Sequence, residues 1–313
     1  MKEESTPMIP VATHSFNQKY LYAFAGQAEI VNHIRTQALE EEAKRLPDIL
    51  AAWEKQRRRV ADLMNVEIGV PEQIRIQEIP KECNSRISNI GNDELFKKTF
   101  GNYPISFRMV EIDKLVAAQR TVNLDYVDRL KKNYPNKPHL EQLIEICISP
   151  NRSMDPIQHL EVAPNTHVFS SPNSDIRFLG AFVKHLTKED MEYAVHGGLP
   201  AAAVITFVGY GGAPINVLQA GSRVVLNNGF HRVFALRSLG IESIPVVIQH
   251  VTNVQLEFPP QVAGLPKEYL LGVPRPVLMK DFFEPEFSIT LKVRERIKMV
   301  TVGIGVNQHE IPS

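Results

Sequence analysis

The stretch that most constrains this 313-residue chain runs from Pro214 to His250. Two apolar runs, Ile215-Asn216-Val217-Leu218 and Arg223-Val224-Val225-Leu226, flank Gln219-Ala220-Gly221-Ser222, a turn suited to a β-hairpin. The second run passes through Asn227-Asn228-Gly229 into a helical stretch from about Phe230 to Leu239. Gly240 supplies the left-handed cap, and Ile241 is placed to fold back over the last turn. Pro245-Val246-Val247-Ile248-Gln249-His250 then reads as a strand. Hairpin, helix and strand follow one another with almost no spare chain.

The strand-to-helix corner, Leu226 to Arg232, has chemical consequences. The first N–H groups of a helix lack intrahelical acceptors, and the helix dipole adds a partial positive charge there, so such a corner attracts anions. Gly229 lets a ligand approach the backbone closely, and Arg232 in the first turn offers a planar fork for phosphate oxygens. The same spacing also describes a plain corner whose arginine pairs with a nearby carboxylate. Sequence spacing leaves both readings open.

Outside this stretch the pattern is mixed. From Tyr20 to Met64, Ile30, Ile34, Ala38 and Leu39, then Leu46, Ile49, Leu50, Trp53, Val60 and Leu63 recur at helical steps, with Pro47 dividing or kinking the run. The charged groups Glu40–Glu42 and Gln56–Arg59 read as the solvated side of a helical hairpin. Ile74–Ile79 alternates like a short strand, and Asn84–Asn92 is turn-rich and reads as a linker. Phe107–Ile112 reads as a strand, and Leu124–Lys131 as a helix capped by Asn123 and stopped by Pro135. His139–Ile148 suits either helix or strand. Ser149–Asn173 holds four prolines and is expected to contain a long loop. Phe178–Tyr193 reads as helix ended by Gly197-Gly198-Leu199-Pro200, and Ala203–Val208 as a buried strand leading into a flexible Gly209–Pro214 connection.

Composition narrows the function classes. Lys+Arg and Asp+Glu both total 35, which argues against non-specific grip on a nucleic-acid backbone. Hydrophobic residues make up 43% and charged residues 22%, enough to build a core. No apolar run approaches the ~18 residues of a spanning helix, so no membrane role is expected. Met1–Pro7 is polar and acidic with no apolar stretch after it, so no secretory signal is expected. Two cysteines, Cys83 and Cys147, without a CxxC exclude a disulfide framework and point to a reducing, cytoplasmic setting. Ten histidines include no HExxH pair, Gly209-Tyr210-Gly211-Gly212 is not followed by Gly-Lys-Ser/Thr, and no GxSxG elbow occurs.

Three motifs in order, Pro214-Ile215-Asn216-Val217, Asn228-Gly229-Phe230-His231-Arg232-Val233-Phe234-Ala235 and Leu239-Gly240-Ile241-Glu242-Ser243-Ile244-Pro245-Val246, resemble the ParB/sulfiredoxin-like superfamily. Upstream, Val110–Leu115, Gln119-Arg120 and Tyr126–Leu130 are similar to that family's opening strand, arginine segment and first helix. The sulfiredoxin branch carries a cysteine directly before His-Arg, where this chain has Phe230, so that activity is not implied. The partition branch continues into a helical DNA-binding domain, whereas here Pro259-Pro260 opens a proline-rich tail with no helix-turn-helix pattern. The free-serine-kinase branch uses a Gly-His-His-Arg-like helix start, which Gly229-Phe230-His231-Arg232 approaches.

The resemblance implies phosphate binding by Asn228, Gly229, His231, Arg232 and Arg120, with a nucleotide (ATP, ADP or CTP) and Mg2+ as cofactors. His231, Glu111 and Asp113 are the catalytic candidates, with Asp125 and Asp128 as further carboxylates of the upstream element. The expected architecture is α+β: a helical segment 1–66, a connecting region 67–106, a ParB/sulfiredoxin-like core 107–250 with an insertion at about 136–200, and a proline-rich extension 251–313. The expected function is nucleotide binding, with phosphoryl transfer or nucleotide hydrolysis. A ParB-like nuclease acting on nucleic acid, and a non-catalytic assembly protein forming homo-oligomers or binding a protein partner through its N-terminal helices, are the alternatives.

Overall fold

A computed structural model describes residues 14–150, 156–171, 173, 176–187, 189–190 and 200–311. The chain opens with strand β1 (Ser15–Tyr20) and helices α1 (Gln27–Gln37), α2 (Glu40–Ala43) and α3 (Leu46–Val66). Strand β2 (Ile76–Glu78) precedes α4 (Asn84–Asn92) and α5 (Glu94–Phe100). Then come β3 (Ile105–Glu111), β4 (Val116–Ala117), β5 (Thr121–Asn123), α6 (Leu124–Asn133) and α7 (Leu140–Ile148). Four strands follow: β6 (Gln158–Ala163), β7 (Thr166–Ser171), β8 (Ile176–His185) and β9 (Ala202–Tyr210). The hairpin β10 (Asn216–Ala220) and β11 (Arg223–Asn228) leads into α8 (Phe230–Ser238) and β12 (Ser243–Val251). The chain continues through α9 (Val254–Glu257), β13 (Gln261–Val262), β14 (Leu265–Pro266), α10 (Lys267–Leu270), β15 (Ile289–Arg294) and β16 (Lys298–Gly303). The class is mixed α+β. No helix among the described residues is long and apolar enough to cross a membrane.

Two compact units result. The larger comprises residues 14–152 and 212–295. Its six-stranded sheet has the order β2-β3-β12-β10-β11-β4, with β10 parallel to β12 and antiparallel to β11. The central strands bury Val217, Val224, Leu226, Val246 and Val247, which explains their near-continuous apolar runs. Helix α6 packs on α8, and α7 on β12. A second sheet, β15-β1-β5, joins the two ends of this unit, with Phe16 opposite Val293 and Lys19 opposite Val122. The smaller unit takes residues 153–211 together with 1–13 and 296–313; it contains the sheet β16-β7-β6 and the ribbon β8–β9.

Several local expectations hold for the reasons given. Pro47 sits in the first turn of α3, where its missing N–H costs nothing, so the helical run divides there. The Asn123 side chain accepts from the Tyr126 N–H at 2.9 Å, capping α6. Gly221 and Gly240 adopt φ of 61° and 82°, and the Ile241 N–H returns to the Leu236 carbonyl. Trp53 is buried, with Nε1 donating to the Ala25 carbonyl at 2.9 Å.

Others are corrected. Asn84–Asn92 is helix α4, since Ile90 is buried and anchors it despite its turn-forming composition. The proline-rich region after Ser149 contains the β6–β7 hairpin, turning at Asn165 with φ 58°. Residues 176–185 form strand β8, whose alternation is broken by a bulge between Phe178 and Gly180. Strand β9 exists but none of its residues is buried, and Val204 is 61% accessible. Helix α3 ends at Val66, and the two units part at 152/153, 211/212 and 295/296. Helix α7 belongs to the larger unit, strand β1 opens the expected helical segment, and β15 in the tail completes β1's sheet. Met1–Pro7 and the Gly197–Leu199 helix stop lie outside the described residues.

One buried ion cluster ties the tail to α3. Arg275, fully buried, donates to Asp281 at 2.8 and 3.0 Å and pairs with Glu67 at 2.8 Å. Removing one member strands the other's charge in a dry site. Arg275→Ala is expected to cost roughly 3–5 kcal/mol in denaturant unfolding, whereas the volume-matched double change Arg275→Met with Asp281→Leu is expected to cost far less. Equal losses in the two variants would contradict this account.

Candidate functional site

The start of α8 is built from the end of the β10–β11 hairpin. Asn216 and Asn228 face each other in the ladder, and Asn227 Nδ2 donates to Asn216 Oδ1 at 2.7 Å. Asn228 Oδ1 accepts from the Gly229 N–H at 2.7 Å, while its Nδ2 donates to the Gly212 carbonyl at 2.7 Å. Gly229 is the N-cap, at φ 93° and ψ 18°. A Cβ there would stand 2.6 Å from Ile215 Cγ1, so both conformation and space require glycine. The Val233 N–H closes the first turn onto the Gly229 carbonyl at 3.0 Å. No side chain caps α8, and the first amides of a helix have no intrahelical acceptors.

His231 faces the beginning of α6. Its Nε2 accepts from the Asn123 N–H at 3.2 Å, and its ring lies edge-on to Tyr126 with centroids 5.2 Å apart. An acceptor at Nε2 places the proton of the neutral ring on Nδ1. Burial pushes the His231 pKa down to about 4, so the ring is neutral around pH 7. The half-buried ring is a spacer between α8 and α6, and the atom that would take a proton accepts a hydrogen bond.

Arg232 is also placed differently from expectation. Its Nη1 donates to the Ile146 carbonyl at 3.1 Å and its Nη2 to the Ala213 carbonyl. The Ile146 carbonyl lies in the last turn of α7, where carbonyls lack helical partners, so the guanidinium serves as a C-terminal cap for that helix. Beside this clasp the Ile215 N–H donates to the Cys147 carbonyl at 2.6 Å. The fork is thus occupied by backbone oxygens rather than held open for phosphate.

The carboxylates expected at the helix start are not there. Asp113 accepts from Arg237 Nε and Nη2 at 2.6 and 3.0 Å, in the last turn of α8. A nine-residue helix is roughly 13 Å long, so Asp113 marks the end opposite Gly229. Glu111 accepts from the Arg75 N–H at 3.1 Å and pairs with Lys114 at 3.3 Å. Asp125 accepts from Asn17 Nδ2 at 3.0 Å, and Asp128 pairs with Lys131 at 3.2 Å. Arg120 Nη1 meets both Glu29 carboxylate oxygens at 2.7 and 2.6 Å, with its guanidinium over the Tyr269 ring. The structure therefore brings Asn228, Gly229, His231 and Arg232 together and leaves Glu111 and Asp113 apart from them. Among the described residues no three His, Cys, Asp or Glu side chains are arranged to hold a metal ion. Glu111 and Asp113, each committed to a cation, do not fit a Mg2+ site.

Two participants escaped sequence reading. One is the pair of carbonyls that Arg232 grips, which no side-chain pattern can reveal. The other is Cys147, separated by 85 positions from Arg232 yet close enough for the guanidinium to act on it. Burial pushes the Cys147 thiol up to about 12 despite that neighbour, so it is not a nucleophile near pH 7. No protein-family model, curated protein or solved structure matches the chain.

Two predictions follow from this corner. Gly229→Ala should cost at least about 2 kcal/mol in urea unfolding, from the left-handed backbone plus the Ile215 clash; Gly221→Ala, also left-handed but in open space, should cost about 1 kcal/mol. His231 has a folded pKa below its unfolded value of about 6.5, so the folded state disfavours its proton. Its contribution is complete above pH 6.5, falls as pH drops towards 4, and is constant below that, a loss on the order of 3 kcal/mol. Urea midpoints between pH 4 and 7 should fall more steeply in the natural protein than in His231→Gln. Parallel curves would refute the buried neutral ring.

Proposed function

We propose that the chain is a ParB/sulfiredoxin-like nucleotide-binding module that receives the phosphates of ATP, ADP or CTP at the start of α8. The observation carrying this reading is the start of α8 behind a left-handed Gly229, where no side chain caps the helix and the positive end of its dipole lies. Arg232 sits in that same turn and contributes when a ligand arrives. A guanidinium bonded to phosphate forms charge-assisted contacts, stronger than those it makes to neutral carbonyls, so phosphate competes with Ile146 and Ala213 for the fork.

The role is binding rather than turnover. Glu111 and Asp113 are engaged elsewhere, and His231 is neutral with Nε2 occupied, so the candidate residues offer no poised base at this end of α8. Ligand arrival would instead release two carbonyls and loosen the segments around Ile146 and Ala213.

Titration calorimetry with ATP, ADP, CTP and GTP, each with Mg2+, is the direct test. Binding by at least one nucleotide is expected, weakened tenfold or more in Arg232→Ala, with faster amide exchange at residues 146–149 and 212–215 in the bound state. No heat with any of the four, or binding unaffected by Arg232→Ala, would overturn the proposal. The assembly role is the second reading, favoured by one observation: the exposed apolar side chains of the β8–β9 ribbon.

A further inference from the structure

Among the described residues, β8 and β9 pair only with each other. A two-stranded ribbon is marginally stable in water and normally gains a further strand or a covering surface. The side chains this ribbon shows to solvent are apolar: Phe178, Leu179, Phe182 and Val183 on β8, with Val204 and Phe207 on β9, are each 48–61% exposed. Both faces are involved. Phe182 and Phe207 stack on one face with ring centroids 5.6 Å apart, while Val183 lies opposite Val204 on the other.

The two edges of the ribbon differ. Strand β8 carries Arg177 and Lys184, and its bulge between Phe178 and Gly180 twists the ladder, with Gly180 at φ 131°. Charges and bulges are the devices that protect an edge from pairing. Strand β9, Ala202-Ala203-Val204-Ile205-Thr206-Phe207-Val208-Gly209-Tyr210, has no charged residue, no proline and no bulge of its own. It is a nine-residue edge with none of those protections.

We infer that the free edge of β9 pairs with β9 of a second copy of this chain, antiparallel about a two-fold axis, to give a four-stranded sheet in the order β8-β9-β9-β8. The uncharged β9 suits a second copy of itself, and the bulge on β8 marks the other edge as the outer one. Pairing about a two-fold axis sets a strand against itself, so it tolerates only strands that do not repel their own copy. The uncharged β9 meets that condition. Strand β8 is less suited to it: Lys184 is held by Asp190, and the bulge between Phe178 and Gly180 breaks the regular ladder that self-pairing needs. The pairing also closes on itself: it consumes the unprotected edge and leaves the protected one outside, so assembly stops at two copies. A nine-residue ladder is a small interface, at or below the ~1,200 Å² of a standard one, so association in the micromolar range is expected.

Light scattering across about 1–200 µM, which brackets micromolar association, tests the pairing. The mass should rise with concentration from 35.3 kDa towards twice that value. Val204→Lys, at a position already 61% exposed, introduces like charges on the paired strands and should keep the protein monomeric to at least tenfold higher concentration. Leu160→Lys, at an exposed position (43%) on β6 in a different sheet, should leave the dimer unchanged. Single cysteines at Val204, Thr206 and Val208 provide a second measurement, because Cys83 and Cys147 are both buried. At least one β9 position should form an intermolecular disulfide under mild oxidation. A monomer at every concentration, open-ended assembly beyond two copies, or a dimer indifferent to Val204→Lys and uncrosslinked at every β9 position would each overturn the inference.

Discussion

The clasp of Arg232 on the carbonyls of Ile146 and Ala213 is the interaction on which the larger unit's organisation rests. Residues 153–211 leave this unit shortly after α7 and re-enter it just before β10. The two chain segments involved must meet, and each brings backbone oxygens that helix and sheet cannot satisfy. One guanidinium with several fixed donors serves both, while Asn228 holds the Gly212 carbonyl and the Ile215 N–H closes onto Cys147. A lysine would supply the charge without the planar fork that reaches two carbonyls at once. The helix-start motif therefore has a structural task, and any ligand at this corner must negotiate with it.

The two ends of α8 are specialised in opposite ways. At the start stand a left-handed glycine, a first turn without a side-chain cap and a neutral histidine. At the end, Arg237 complements the negative pole of the dipole and is held by Asp113. Because the helix separates these ends, the Asp113 carboxylate stands away from the Gly229 corner.

Legibility in the sequence followed how far each element depends on its neighbours. The hairpin, α8 and β12 are specified by short-range signals: Gly221 and Gly240 in the left-handed region, Ile241 folding back, and apolar runs buried on both sides. Helix α6 was readable because Asn123 caps it locally. Strand β8 misled because a bulge displaces its alternation by one residue, leaving a pattern that resembles a helical face. Helix α4 misled because Asn, Ser and Gly dominate it locally while burial of Ile90 decides its conformation. At the site, Asn228, Gly229, His231 and Arg232 were found together because one corner carries them. Glu111 and Asp113 were expected near the corner because the resemblance implies that their element lies beside it, whereas Glu111 pairs with Lys114 and Asp113 with Arg237 at the far end of α8.

The sequence by itself determined the identity of the corner: glycine with positive φ, the adjoining hairpin, and the helix that begins there, all fixed by backbone sterics and local capping over a few residues. Tertiary structure alone decided what the corner's side chains hold. Arg232 lies 86 positions from Ile146, and His231 lies 108 from Asn123, so their partners were set by which segments the sheet and helices brought into contact. Tertiary structure also decided that β9, apolar enough to read as core, stands exposed with a bare edge. Hydrophobicity states that a strand needs a cover; only the arrangement of the remaining chain shows whether that chain provides one.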